Sequence, residues 1–168
     1  MIALRILDIK KCMNYMLATE AFDAWEVAEV KIIAKVSYVI DGHVTPDYMS
    51  PEELEAEHLL PGGCIPFGSL RPLCFEMIKG KRTPQSCRFT FLCPREQMEE
   101  IIAKEQLEIS PEDIVNLTMN ITFHQGELLV TTSCAERTFS LDKSLAHAWD
   151  AWVLDFFRKM EIAVEKSA

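Results

Sequence analysis

The stretch Arg88-Phe89-Thr90-Phe91-Leu92, followed by Cys93-Pro94 and apolar residues at Met98, Ile101 and Ile102, decides the fold. Apolar and polar residues alternate through the first five positions, the pattern of a strand with one buried face. Met98, Ile101 and Ile102 stand at the i, i+3, i+4 spacing of one buried helical stripe. Pro94 fits the first helical position, where a missing N–H is harmless. The start of the chain carries the same pattern. Ala3-Leu4-Arg5-Ile6-Leu7 falls on the strand, Asp8 fits the N-cap of a helix, and Met13, Met16 and Leu17 fall on the three apolar helix positions.

At the same offset, Ile32, Ala34, Val36 and Tyr38 fall on Leu117, Met119, Ile121 and Phe123. Polar Lys31, Lys35 and Ser37 fall on Asn116, Asn120 and Thr122. Each run predicts a strand, then a turn at a glycine (Asp41-Gly42 and Gln125-Gly126) and a return strand over 43–49 and 127–134. The expectation is an α+β protein of one domain, 1–168. It is made of β-α-β-β pseudo-repeats at 1–49 and 86–139 that form an antiparallel sheet. A helical insert occupies 50–85. In it, Ser50-Pro51-Glu52-Glu53 is a capping box, and a helix over 70–79 is predicted to bury Leu73, Cys74, Met77 and Ile78 and to stop at Gly80. A long C-terminal helix is predicted over 140–164, capped by Ser140 or Asp142. Its stripe is Leu145, Trp149, Trp152, Val153, Phe156 and Met160.

With 168 residues, 49% of them apolar, the chain is long enough to bury a core without disulfides or metal. Its net charge of −9 argues against whole-molecule attraction to DNA, RNA or anionic lipid, so neither nucleic acid nor membrane is an expected partner. Charges interrupt the apolar start, so no signal peptide is expected. Prolines and glycines break the uncharged stretch from His58 to Leu70, so no helix there crosses a bilayer. Cys12, Cys64, Cys74, Cys87, Cys93 and Cys134 include no CxxC pair and suit small buried hydrophobes in a reducing cytoplasm, with no metal and no cofactor expected. The triplets Asn116-Leu117-Thr118 and Asn120-Ile121-Thr122 match a glycosylation signal but fall inside a strand.

The strongest functional signal is a run of cations. Arg71, Lys79, Lys81, Arg82, Arg88 and Arg95 stand against the single acid Glu76 between 71 and 95. Lys79, Lys81, Arg82, Arg88 and Arg71 are the candidates for an anion or phosphate site. Lys79-Gly80-Lys81-Arg82-Thr83 forms its turn. A plainer role is also open to Lys79 and Lys81, since cations at a helix C-terminus favour its dipole. The alternative acid/base candidates are His43, beside Asp41 and Asp47, and His147 with Asp150 one turn on. These pairs have no nucleophile or third ligand spaced with them, which favours a turn residue and a solvated helix pair. Gly63-Cys64-Ile65-Pro66-Phe67-Gly68 has phosphate-loop glycines but lacks the Lys-Ser/Thr that must follow.

Two resemblances add to this. Ile78-Lys79-Gly80-Lys81-Arg82-Thr83-Pro84 and Leu141-Asp142-Lys143-Ser144-Leu145-Ala146-His147-Ala148-Trp149-Asp150 resemble a family of small bacterial proteins, a domain of unknown function. The resemblance runs along most of the chain and implies no activity. The order of elements alone resembles a domain of the DNA sliding clamps. Lys10 and Lys11 in one helix, and Arg95 and Lys104 among Glu96, Glu99, Glu100 and Glu105 in the other, give little net charge to drive DNA threading. The function expected is a non-catalytic binding or scaffold protein that self-associates as a homodimer through 79–88. The alternative is an enzyme acting on a phosphorylated small molecule held by the same turn.

Overall fold

The structure, a computed structural model, describes residues 1–167. In chain order the strands are β1 (Ala3–Ile6), β2 (Glu26–Ile33), β3 (Ser37–Asp41), β4 (Ser86–Leu92), β5 (Ile114–His124), β6 (Glu127–Glu136) and β7 (Val164–Lys166). The helices are α1 (Ile9–Ala18), α2 (Pro51–Ala56), α3 (Arg71–Ile78), α4 (Arg95–Lys104) and α5 (Ser144–Lys159). All strands share one antiparallel sheet of order β3-β2-β4-β5-β6-β1-β7.

The α+β class and the antiparallel sheet stand as expected. The order β-α-β-β occurs twice, as β1-α1-β2-β3 and β4-α4-β5-β6. The two sets sit differently in the sheet. β4, β5 and β6 are neighbours, whereas β1 lies between β6 and β7, far from β2 and β3. Its partners are Leu4↔Val130 on one side and Leu4↔Lys166 on the other. The sets meet where β2 pairs β4, with Val30 opposite Phe89 and Lys31 opposite Arg88.

The two faces of the sheet differ, as in many antiparallel sheets. Leu4, Val30, Phe89, Phe91, Leu117 and Val130 are fully buried on the face that the helices cover. At its centre Trp25 packs edge-on against Trp152 and Phe156, with Trp149 and Trp152 stacked 5.5 Å apart. Offset and edge-on pairs of this kind add to the area they bury. Trp149 also donates its Nε1–H to the Thr118 carbonyl at 3.1 Å, fixing α5 over the sheet. The other face carries Lys31, Arg88, Thr122, Asn120, Thr131 and Arg5, and no helix among the described residues closes it; the more central of these are half-buried and the rest exposed.

Several local expectations need correction. The alternation Ile32-Ala34-Val36-Tyr38 is not one strand. The chain reverses at Ala34–Val36, where Ala34 N–H bonds the Val36 carbonyl at 3.0 Å, so β3 is the return strand. No strand runs over 43–49; His43 makes only an isolated bridge to Cys64. Asp41-Gly42 therefore serves another purpose. Gly42 lies against β2 so closely that a Cβ there would sit 1.8 Å from the Val27 carbonyl oxygen, and only glycine fits. The second turn, Gln125-Gly126, is where the sequence puts it, with both residues at positive φ.

Asp8 caps α1 by accepting from Lys11 N–H at 3.0 Å, and the Ser50 capping box on α2 is complete. Pro94 stands at the N-cap of α4, one residue before the expected position. In α3, Cys74 is buried but Leu73 points outward, 47% exposed; the helix ends at Ile78 on an extended Lys79, with no glycine cap. The C-terminal helix spans 144–159 rather than 140–164. Glu161 has φ +54, and the chain returns as β7 on the edge of the sheet. Asp142 still serves the helix start, accepting from Ser144 N–H at 2.9 Å. No helix among the described residues is long and apolar enough to cross a membrane.

Candidate functional site

The fold spreads the sequence-predicted cations over several surroundings. Arg71 leaves the group. Its guanidinium makes a two-pronged bond to Asp23 (2.7 and 3.2 Å), tying the start of α3 to the α1–β2 connection. That bond holds Arg71 firmly charged. Lys79 is paired with Glu76 at 2.8 Å and lies 5.9 Å above the Phe75 ring. Arg95 bonds Glu99 and Glu112. Bonds from Ser110 and from Arg95 press the Glu112 carboxyl down to about 2. Lys81 and Arg82 are exposed and make no ion pair among the described residues.

Arg88 is on the open face of the sheet. Register brings Lys31 directly opposite it on β2 and Thr122 opposite on β5; one step along, Ser86 faces His124. Lys31, Ile33, Ser86, Arg88, Thr122 and His124 line a shallow hollow of about 210 Å³. Like charges directly across two strands destabilise a sheet. Glu29 offsets this in part by accepting from Arg88 at 2.9 Å, while Lys31 has no carboxylate partner among the described residues. Lys35 stands in the β2–β3 turn at the same end. The Gln85 N–H to Ile33 carbonyl bond, 2.8 Å, brings the segment after Lys81 and Arg82 alongside. The sheet therefore ends in a cationic rim made from two distant parts of the chain. Sequence reading found Lys81, Arg82 and Arg88 but missed Lys31 and Lys35, because only the β2–β4 register joins them.

The two acid/base candidates have different surroundings. His43 Nδ1 lies 2.6 Å from Asp41 Oδ1, and the same oxygen accepts from His43 N–H at 2.9 Å. The backbone bond first, and the side-chain bond second, lower the Asp41 carboxyl. The isolated bridge pairs His43 with Cys64, but burial, with Glu26 and Asp41 nearby, pushes that thiol up to about 11, the reverse of an activated nucleophile. Cys12 and Cys93 are raised to about 12, and Cys74, Cys87 and Cys134 to about 11, in each case chiefly by burial. His147 and Asp150 do not face each other as a solvated pair. His147 is exposed, while Asp150 turns inward to the Thr132 hydroxyl and the Met1 amino group. Thr132 in turn accepts from Ile2 N–H at 2.9 Å, so this network holds the first residues against β6.

A one-sided antiparallel sheet, helices on one face and a polar open face on the other, is the class these features define. Residues 15–165 match the model of a family of unknown function, DUF5721, and the chain belongs to that family. No curated protein matches, and no solved structure matches.

Proposed function

We propose that this is a non-catalytic binding protein whose contact surface is the cationic end of the sheet, recognising an anionic group. The observation that carries this is Lys31 opposite Arg88 on the open face, with the Ser86 and Thr122 hydroxyls and the His124 ring beside them. Two cations held together at a cost in sheet stability, in a chain of net charge −9, are what a phosphate or carboxylate would bridge. Lys35, Lys81 and Arg82 extend the surface and draw anions toward it. Cys12, Cys64, Cys74, Cys87 and Cys93, all buried and unpaired, support work in a reducing compartment such as the cytoplasm.

Titrating inorganic pyrophosphate by calorimetry at low salt tests the reading. The wild type is expected to bind saturably and to weaken as salt is added. Lys31→Gln with Arg88→Gln should lower the affinity at least about tenfold, the removal of two charge-assisted contacts. Unchanged affinity in that double variant, or no binding by the wild type at millimolar pyrophosphate, overturns the proposal.

A further inference from the structure

On the helix-covered side of the same sheet end, a second hollow of about 230 Å³ opens between α1, the end of α3 and the turn Lys79–Pro84. Its wall is apolar: Ile9, Met13 and Leu17 from α1, Ile78 from α3, Cys87 from β4 and Phe123 from β5. Leu17 and Cys87 are buried, but Ile9, Met13, Ile78 and Phe123 remain half-covered. The hollow is open to solvent on one side, and an apolar body seated in it would cover these half-exposed side chains.

The rim is of a different kind. Lys79, Gly80, Thr83 and Pro84 edge the hollow, and Lys81 and Arg82 project from the same turn without a carboxylate partner among the described residues. Gly80, at φ +146, gives the turn a backbone conformation that side-chain-bearing residues rarely adopt.

We infer that this hollow binds a small organic anion with an apolar body, a medium-chain or aryl carboxylate. Its hydrocarbon lies against Met13, Ile78 and Phe123, and its carboxylate sits at the Thr83 hydroxyl on the rim, drawn there by Lys81 and Arg82 of the same turn. Apolar contact supplies most of the affinity; the cations fix orientation and reject neutral analogues. The apolar wall of this hollow lies on the other side of the sheet from the open face, and Lys81 and Arg82 stand at the rim common to both, so Met13→Trp, which touches neither cation, is the variant that separates the two sites.

The test compares octanoate, acetate and 1-octanol by calorimetry. Octanoate should bind at least about tenfold more tightly than acetate, because only it fills the hollow. It should also exceed 1-octanol by several-fold. Lys81→Gln with Arg82→Gln should remove the advantage over 1-octanol and leave 1-octanol binding unchanged. Met13→Trp, which fills the hollow, should abolish octanoate binding while pyrophosphate still binds the open face. If Met13→Trp does not fold, the Met13 methyl resonance of the wild type serves instead, and octanoate should shift it where acetate does not. Octanoate no tighter than acetate, octanoate binding unaffected by a folded Met13→Trp, or an unmoved Met13 methyl overturns the inference. Loss of pyrophosphate binding alone leaves it standing and strikes only the open-face reading.

Discussion

The early set β1-α1-β2-β3 and the late set β4-α4-β5-β6 have the same order of elements and similar apolar spacing, yet they are assembled differently. The late set is contiguous: β4, β5 and β6 pair in order and turn tightly at Gln125-Gly126. The early set is split, with β1 carried across the sheet to β6 and β7 while β2 pairs β4. Periodicity in a segment therefore determines which element it becomes and which side it buries, and long-range packing determines its neighbour. That difference underlies the proposed anion surface, since the β2–β4 pairing created by the split puts Lys31 beside Arg88.

The element that closes both sets is α5, and removing it should have the largest effect. Leu145, Trp149, Val153 and Phe157 are buried, and at roughly 1.5–3 kcal/mol each their loss rivals the whole stability of a small domain. A chain ending at Leu141 should show no cooperative melting transition by calorimetry. Trp149→Ala tests the same closure at one point. It should cost about 3–5 kcal/mol in a urea titration, because it opens a cavity in the core and removes the Nε1–H bond to the Thr118 carbonyl.

Gly42, just past β3, and Gly126, in the β5–β6 turn, should behave differently when substituted. Gly42→Ala places a methyl on the Val27 carbonyl and should cost about 1–3 kcal/mol or more. Gly126→Ala meets nothing within 4 Å and pays only for φ +79, about 1–2 kcal/mol. Equal midpoints for the two variants in urea would erase the distinction.

The smallest expected effect is at Glu26, at the start of β2. Burial raises its carboxyl above 4.5, so the folded state holds a proton that the unfolded chain releases. Between 4.5 and that raised value, rising pH therefore lowers stability, and above it the full penalty persists. Glu26→Gln should raise the melting temperature modestly at pH 7 and leave it nearly unchanged below pH 4.

Much of this architecture is legible in the letters. The Leu4/Ile6 and Phe89/Phe91 strands, the two helices after them, the Gln125-Gly126 turn and the Trp149 stripe all follow from periodicity and turn chemistry. The first turn was hidden because Ala34 and Val36 extend the apolar alternation although both are exposed. Asp41-Gly42 imitates a hairpin turn, but its glycine answers a close approach to Val27 that no local pattern encodes. The end of α5 was hidden by Ile162 and Val164, apolar because one is buried in the core and the other pairs Ile6. Asp150 has the spacing of a solvated helix residue, yet it meets Thr132 from a strand that a helical wheel cannot include. Half of the cationic rim was visible as a basic run, and the other half required the sheet register.

The β2–β4 seam is the feature on which both the fold and the proposed open-face site depend. Backbone nuclear Overhauser contacts measured on isotope-labelled protein test it directly. Cross-strand contacts between Val30 and Phe89 and between Lys31 and Arg88, together with Leu4 to Val130, are the predicted result. Contacts joining β1 to β2 in place of these would contradict it, and the proposed anion surface would fall with it.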